Sequence, residues 1–422
     1  MTETLHEGVR KMNKPDIRFN GFDGEWVEKK LGDCLCKSIS NGIMNRPGIN
    51  ELKVKHINVV NMYAEDKIHI NDLTYFLATE EDIKKCDVQV GDIFITRSSI
   101  KAEGIAQANV LLDKSNLVFD DHLMQLRFSK SFNPEFLKEL LRSKSVRRQF
   151  ILKGKTTTMT TIGQGEISST DIFFPSPAEQ TKIGNLFSQI DSLIASTQKE
   201  HDKLVALKKC MLQKMFPKKG CLVPEIRFKG FTGDWVETKF YNIGTVKSGY
   251  AFQSENFVNQ GIPVIRITNI QDGEVSFDEI VYYSEFDIDK DFIAERGDVL
   301  LAMSGATTGK TGVYKREQSS YINQRVGKFI FNDETTFKPF YKSLFDTEFF
   351  MEQVIGSVAT GAQPNIGTKN VENMIFTIPI DKNEQQKIGS YFQNLDNLIS
   401  KQSAELEKLK NVKKTLLSKM FV

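Results

Sequence analysis

An α+β architecture is what this 422-residue sequence predicts, with two tandem, pseudo-symmetric modules separated and bridged by two long antiparallel helices, and three observations carry the expectation. Pro15-Asp16-Ile17-Arg18-Phe19-Asn20-Gly21-Phe22-Asp23-Gly24-Glu25-Trp26 returns as Pro224-Glu225-Ile226-Arg227-Phe228-Lys229-Gly230-Phe231-Thr232-Gly233-Asp234-Trp235, 209 residues later. Glu179-Gln180-Thr181-Lys182-Ile183-Gly184 recurs as Glu384-Gln385-Gln386-Lys387-Ile388-Gly389 after 205 residues. Each of these second echoes opens a long stretch with apolar residues at 3-4 spacing. Between the echoes the halves share little, as when one duplicated scaffold carries two different surfaces.

The order is therefore module (1–177), helix (178–216), module (217–381), helix (382–422). Inside the modules, Val54 to Val60 and Pro263 to Thr268 read as matching strands ending at Asn61 and Asn269. Gly91 to Ile95 pairs with Gly297 to Leu301, and Leu123 to Phe128 with Val326 to Phe331, as further strands. Phe136 to Ile151 and Phe340 to Ile355 read as amphipathic helices, so each module mixes helix and strand without a regular βαβ alternation. Asn61 and Asn269 read as turn-formers, because Asn tolerates left-handed backbone.

In the first long helix Ile183, Phe187, Ile190, Ile194 and Leu204 form one apolar stripe, and Ile388, Phe392, Leu395, Ile399 and Leu409 repeat it in the second. Thr197, His201 and Lys208 interrupt the first stripe, and Gln402 and Lys413 the second, so neither is a clean homodimer zipper. Each helix fits the other best. Copies related by a two-fold axis run antiparallel, each about 55 Å long at 1.5 Å per residue, as a coiled-coil spacer. The competing expectation is that each stripe packs only on its own module.

Composition bounds the function. Hydrophobic residues make up 40% and charged residues 26% of the chain. No apolar run approaches the roughly 18 residues of a membrane span, which predicts no membrane partner. The polar N-terminus lacks a secretory stretch, which predicts a cytoplasmic protein. Cys34, Cys36, Cys86, Cys210 and Cys221 form no C-x-x-C pair and are odd in number, against both a zinc site and a disulfide framework. With a net charge of only +2, any nucleic-acid contact must come from local patches.

Ser304-Gly305-Ala306-Thr307-Thr308-Gly309-Lys310-Thr311 imitates a phosphate-binding P-loop, but only three residues separate its glycines where four are needed, and Gly312-Val313-Tyr314 reads as strand. Small residues, hydroxyls and a lysine suit close approach to a DNA backbone or base edge, although an ordinary hairpin loop fits as well. Arg142, Lys144, Arg147, Arg148, Lys153 and Lys155 form an acid-free stretch, yet the second module puts Asp346, Glu348 and Glu352 opposite Arg142, Lys144 and Arg148. The loop after that helix is the better shared candidate. The candidate DNA contacts are thus Arg97, Ser98, Ser99, Lys153, Lys155, Thr156 and Thr157 in the first module, and Ser304, Thr307, Thr308, Lys310, Gln324, Arg325 and Gln363 in the second. No H-E-x-x-H, G-x-S-x-G or G-x-G-x-x-G signature is present, and His6, His56, His69, His122 and His201 have no metal-ligand spacing, so no catalytic or metal site is expected.

The paired starts Phe22-Asp23-Gly24-Glu25-Trp26 and Phe231-Thr232-Gly233-Asp234-Trp235, the Pro-x-Pro leading into Glu179-Gln180 and its copy, the Ser304-Gly305-Ala306-Thr307 loop, and the helix ends Lys214-Met215-Phe216 and Lys419-Met420-Phe421 together resemble the specificity subunit of type I restriction–modification systems. The resemblance spans essentially the whole chain; one departure is Thr96-Arg97-Ser98-Ser99 where the second module has the fuller glycine loop. It implies a non-catalytic reader of double-stranded DNA with two target-recognition domains, one for each half of a bipartite asymmetric site, and helices that set the gap. It also implies two methylation subunits and, in the full complex, restriction subunits. This chain would bind no cofactor, with S-adenosylmethionine, ATP and Mg on the partners. The rival from another class is a non-catalytic two-headed protein scaffold that does not read DNA.

Overall fold

The computed structural model describes residues 13–44, 52–113, 115–271, 273–332, 336–358 and 364–422, and in it the two echoes of each half become two sides of one joint. Arg18 Nε and Nη2 donate to Glu179 Oε1 and Oε2 at 2.6 and 2.7 Å. Arg227 makes the same fork with Glu384 at 2.6 and 2.8 Å. Both glutamates are buried, and the carboxylates raise the pKa of both guanidinium groups above its ordinary value. Lys182 lies 5.1 Å from the Phe22 ring centre and Lys387 5.0 Å from that of Phe231, so each echo contributes a second, cation–π contact.

The chain divides into two units, Met1–Glu200 with Gln402–Val422 and His201–Lys401. In the first unit a four-stranded antiparallel sheet runs in the order Ser40–Asn41, Leu123–Leu126, Ile93–Thr96, Ala108–Val110. Beside it, Leu52–Ile57 pairs antiparallel with Thr74–Ala78 and parallel with Leu117–Phe119. The second unit repeats the order as Gly244–Ser248, Val326–Phe331, Val299–Ala302, Thr311–Val313 and extends it with Gly273–Val275 and Ile270–Gln271. There Ile262–Ile265 pairs parallel with Ser320–Ile322. Each module closes on itself where its first and last strands meet, Val27–Lys30 with Asp171–Phe174 and Val236–Lys239 with Ile375–Ile378.

Two glycines at matching places permit this topology. After Ser40–Asn41 and after Gly244–Ser248 the chain crosses tightly to bridge Ile43 with Asp120 and Tyr250 with Asn323. A Cβ on Gly42 would lie 2.1 Å from the Phe119 carbonyl oxygen, and one on Gly249 2.0 Å from that of Ile322. Backbone cannot yield as a side chain can. Gly249→Ala is therefore expected to cost about 3 kcal/mol, the upper end for overpacking. Gly24→Ala, with open space around it, serves as the control. Hydrogen exchange resolved to the second unit checks this, and equal protection in the two variants would refute it.

Several expected boundaries move. The strands expected to reach Asn61 and Asn269 stop at Ile57 and Ile265, and the chain turns into the 3-10 helices Val59–Tyr63 and Ile267–Asn269. Asn61 and Asn269 do form these turns, but by side-chain capping and not by left-handed backbone. Their Oδ1 atoms accept from the backbone N–H of Asn58 and Arg266 at 2.8 and 3.0 Å. Each helix expected after the sheet is two helices. Pro134–Arg142 and Lys144–Lys153 break at Ser143, whose backbone is extended. Lys338–Phe345 and Glu348–Ser357 break before Thr347, whose hydroxyl caps the next helix at Phe350 N–H.

The long helices span Pro177–Met215 and Lys382–Lys419. Within the first unit they run antiparallel, since Phe187 meets Phe421 (ring centres 5.8 Å) and Asp191 meets Lys413. Within the second, Phe392 meets Phe216 at 5.8 Å and Asp396 meets Lys208. Both expectations for the stripes hold in part, because the helices pack on each other and on a module. Ile183, Phe187, Ile194, Ile388, Phe392 and Leu395 are buried, while Ile190, Leu204, Ile399 and Leu409 are half-buried. Each unit's core thus takes the start of one long helix and the end of the other.

Candidate nucleic-acid interface

In the second unit the glycine-rich loop is a tight turn between Val299–Ala302 and Thr311–Val313, with one 3-10 turn at Gly305–Thr307 and no following helix. Gly309 returns the chain with φ +88°, donating its N–H to Ala302 O at 2.8 Å. Two other segments meet this turn, and a third joins one of them. Met303 N–H donates to Arg325 O at 2.9 Å, Gln324 N–H to Tyr250 O at 2.8 Å, and Gly305 N–H to Pro364 O at 3.0 Å. Thr308 Oγ1 also reaches Pro364 O at 3.3 Å. The cluster brings together Ser304, Thr307, Thr308, Lys310, Gln324 and Arg325. Ser304 is buried and Thr307 and Thr308 are half-buried, while Lys310, Gln324 and Arg325 are exposed. Gln363 lies outside the described residues.

The first unit builds the same cluster from different residues. Arg97 N–H donates to His122 O at 2.7 Å and Arg97 O accepts from Ile162 N–H at 3.0 Å, matching Met303 with Arg325 and with Ile366 (2.9 Å). Ala106 stands where Gly309 does, returning its N–H to Thr96 O at 2.7 Å with φ +50°. The turn from Thr96 to Ala106 is three residues longer than that from Ala302 to Gly309. It contains Ser98–Ser99, the edge of a three-stranded sheet with Thr160–Thr161 and Lys155–Thr156. Arg97, Ser98, Ser99, Lys155, Thr156 and Thr157, separated by up to 60 residues, are thereby brought together.

The cations there divide by what they touch. Lys155 is 80% exposed and 3.1 Å from Glu166, whose carboxyl is held below its ordinary pKa by its own backbone N–H and by Lys155. Arg97 is exposed. Lys153 turns inward, its ammonium 3.1 Å from Ser169 Oγ and 3.2 Å from Thr170 Oγ1, and burial draws its pKa down. Arg142 spends its guanidinium on the carbonyls of Ala108, Glu65 and Ala64 at 2.8, 2.8 and 2.9 Å. Arg147 holds the carbonyls of Ile105 and Glu103, which leaves Lys144 and Arg148 as the exposed members of that helix.

Sequence reasoning missed His122, Tyr63 and Asn365, which meet these turns only through folding, and Tyr250, which accepts from Gln324 N–H beside one of them. Tyr63 is 55% exposed, and its hydroxyl would lie 3.3 Å from a Cβ on Gly104 of the turn. Asn365 bridges Ser304 as Thr161 bridges Ser98. The readable signal was the tight glycine in Ser40-Asn41-Gly42 and Lys247-Ser248-Gly249, each followed by the residue that bridges the segment beside the turn, Ile43 to Asp120 and Tyr250 to Asn323. Asp120, Asp121 and His122 offer ligand atoms within 4.8 Å of one another. Asp120 already accounts for that geometry, accepting from the backbone N–H and the ring Nδ1 of His122, both at 2.8 Å. Among the described residues no helix is long and apolar enough to cross a membrane.

The type I restriction modification DNA specificity domain matches twice, over residues 23–206 and 232–411. The MjaVIII specificity subunit of Methanocaldococcus jannaschii is 25% identical over 338 residues, 78% of this chain and 75% of that protein. The EcoKI specificity subunit of Escherichia coli is 26% identical over 189 residues, 43% of this chain and 39% of that one. The S subunit structure from M. genitalium matches with a TM-score of 0.65 at 16% identity, covering 97% of this chain and 99% of that one, a likeness of fold. With two copies of the domain on two matching units, this chain belongs to the type I restriction–modification DNA specificity family.

Proposed function

We propose that the two turn clusters are the DNA-reading surfaces of this specificity subunit, within target-recognition domains at residues 1–177 and 217–381. Each reads one half of a bipartite asymmetric site, and the helices set the gap. The observation that carries the reading is the recurrence of one turn cluster, on one strand order, with different side chains: Arg97, Ser98, Ser99, Lys155 and Thr156 in one unit, and Thr307, Thr308, Lys310, Gln324 and Arg325 in the other. A shared strand frame with changed turn length and side chains suits two different half-sites. Arg matches guanine and Gln matches adenine by bidentate hydrogen bonding in the major groove. Exposed lysines and threonines beside them suit phosphates.

As a specificity subunit the chain supplies recognition and no chemistry of its own. Double-stranded DNA and two methylation subunits are its proposed partners, joined by restriction subunits in the full complex, with S-adenosylmethionine, ATP and Mg on those partners. Methylated adenines mapped in a methylation-deficient host, with this chain and its methylation subunit or with that subunit alone, test the reading. A gapped two-part motif that depends on this chain is expected. No such motif from an active, soluble complex would favour a scaffold that does not read DNA.

Backbone contacts have their own signature. Lys155→Ala and Lys310→Ala are each expected to reduce the slope of log affinity against log salt by about 0.9, one phosphate's worth of released counterions, while leaving the recognised bases unchanged. Fluorescence anisotropy of the assembled complex across salt concentrations measures this, and an unchanged slope removes that lysine from the phosphate contacts.

A further inference from the structure

Both long helices carry an aspartate and, 17 residues later, a lysine: Asp191 and Lys208, then Asp396 and Lys413. The lysines break the apolar stripes, and in a simple coiled coil they would be defects. In the first unit Lys413 Nζ lies 2.6 Å from Asp191 Oδ1, and Lys138, on the module helix Pro134–Arg142, lies 2.8 Å from Asp191 Oδ2 and 2.8 Å from Glu139. In the second unit Lys208 Nζ lies 2.6 Å from Asp396 Oδ1 and 2.8 Å from Asp346, which ends the module helix Lys338–Phe345 and pairs with Lys342. Asp191 and Lys138 are 1% and 3% exposed, and Asp346 and Lys208 have side chains 17% and 16% exposed. Each group therefore joins three helices around two positive and two negative side chains, and the exposed Glu65 carboxylate lies 3.7 Å from Lys413 at the rim of the first.

Burial alone would pull Lys208 down and push Asp346 up, yet Asp346 and Asp396 hold Lys208 above its ordinary pKa, and Lys342 and Lys208 hold Asp346 below its own. Buried ion pairs add little net stability over apolar residues of similar volume. Their attested use is to fix register, because an apolar stripe tolerates a slip of one turn and a buried charge does not.

We infer that Asp191–Lys413 and Lys208–Asp396 are pins that set each module's position along the helix pair, and so determine which gap length the subunit accepts. The inference rests on the helices acting as the ruler of the bipartite site. A slip of one helical turn is about 5.4 Å, equal to one or two base pairs at about 3.4 Å each, so the substrates that discriminate are duplexes with the gap changed by one or two base pairs.

The test uses the full chain assembled with its methylation subunits. Asp191→Leu/Lys413→Leu leaves Lys138 with Glu139, and Lys208→Leu/Asp396→Leu leaves Lys342 with Asp346, so neither group keeps a net charge in its interior, and the Glu65 carboxylate that loses Lys413 is 57% exposed. Methylation rates are compared on duplexes with the cognate gap and with gaps one or two base pairs longer or shorter, alongside the melting temperature of each complex. The expected result is a loss of about tenfold in gap discrimination, the equivalent of about 1.4 kcal/mol, at unchanged half-site preference and undiminished melting temperature. Full discrimination in folded variants overturns the pins. Should a leucine pair fail to fold, the near-isosteric Asp191→Asn/Lys413→Met complex decides by the same two readouts. A wild-type complex that methylates all gaps equally overturns the ruler itself, and is thereby distinguished from failure of the pins.

Discussion

Phe421→Ala is expected to cost the first unit about 3 to 5 kcal/mol, the range for emptying a large aromatic site in a core, and to spare the second unit. Phe421 is 7% exposed at the far end of the chain. Its ring centre lies 6.1, 5.7 and 5.8 Å from those of Trp26, Phe136 and Phe187, so one residue near the end of the sequence holds together three from its first half. Met420 is buried beside it. Phe216 does the same work for the second unit, against Trp235, Phe340 and Phe392 at 6.2, 5.8 and 5.8 Å. The two substitutions should therefore have crossed effects. Hydrogen exchange of Phe421→Ala should show lost protection around Ile93–Thr96 and normal protection around Val299–Ala302, and Phe216→Ala the reverse. Because the units need not unfold together, one melting temperature cannot report this. Equal loss in both units from either substitution would sink the assignment of each helix end to one core.

The scaffold was far more legible than the surface it carries. Echoed segments revealed the duplication, and the 3-4 stripe located the first long helix to within one residue at each end and the second to within three, because a long periodic signal averages over local exceptions. That the echoes touch each other was not readable: Arg18 and Glu179 are 161 residues apart, and nothing in either segment names its partner. Lys208 and Lys413 looked like flaws in the stripes because their carboxylate partners lie on other helices. Expected helices split at Ser143 and Thr347, where a hydroxyl residue starts a new helix within one apolar pattern. In the candidate interface, individual turn residues could be proposed from composition, but their assembly depends on strand pairing between Ser98–Ser99 and Thr160–Thr161. Lys153 shows the converse limit of composition, since the neighbouring backbone and hydroxyls take up a charge that looked available.

Exchange of residues 224–378 for the matching segment of another family member is expected to replace one half of the recognised sequence and leave the other half intact. Most contacts of the second module fall within that segment, and its first and last strands, Val236–Lys239 and Ile375–Ile378, travel together. One joint is cut. Arg227 goes with the module while Glu384 stays on the helix, buried at 1% exposure with its carboxylate forked onto that guanidinium. A donor without arginine at this place would leave a buried charge unpaired, at a cost of about 3 to 5 kcal/mol, enough to mimic a failed exchange. Donors should therefore be chosen with this arginine and with an aromatic residue at the place of Trp235, which receives Phe216. Mapping methylated adenines in cells expressing the hybrid with its methylation subunits reads the outcome directly. A new second half-site beside an unchanged first one at the same gap is expected from a donor with an aspartate at the place of Asp346, because Lys208 and Asp396 stay on the retained helices and Lys208 then keeps its partner on the module. An unchanged motif would place base recognition outside the exchanged segment, and changes in both halves would mean that the two units do not read independently.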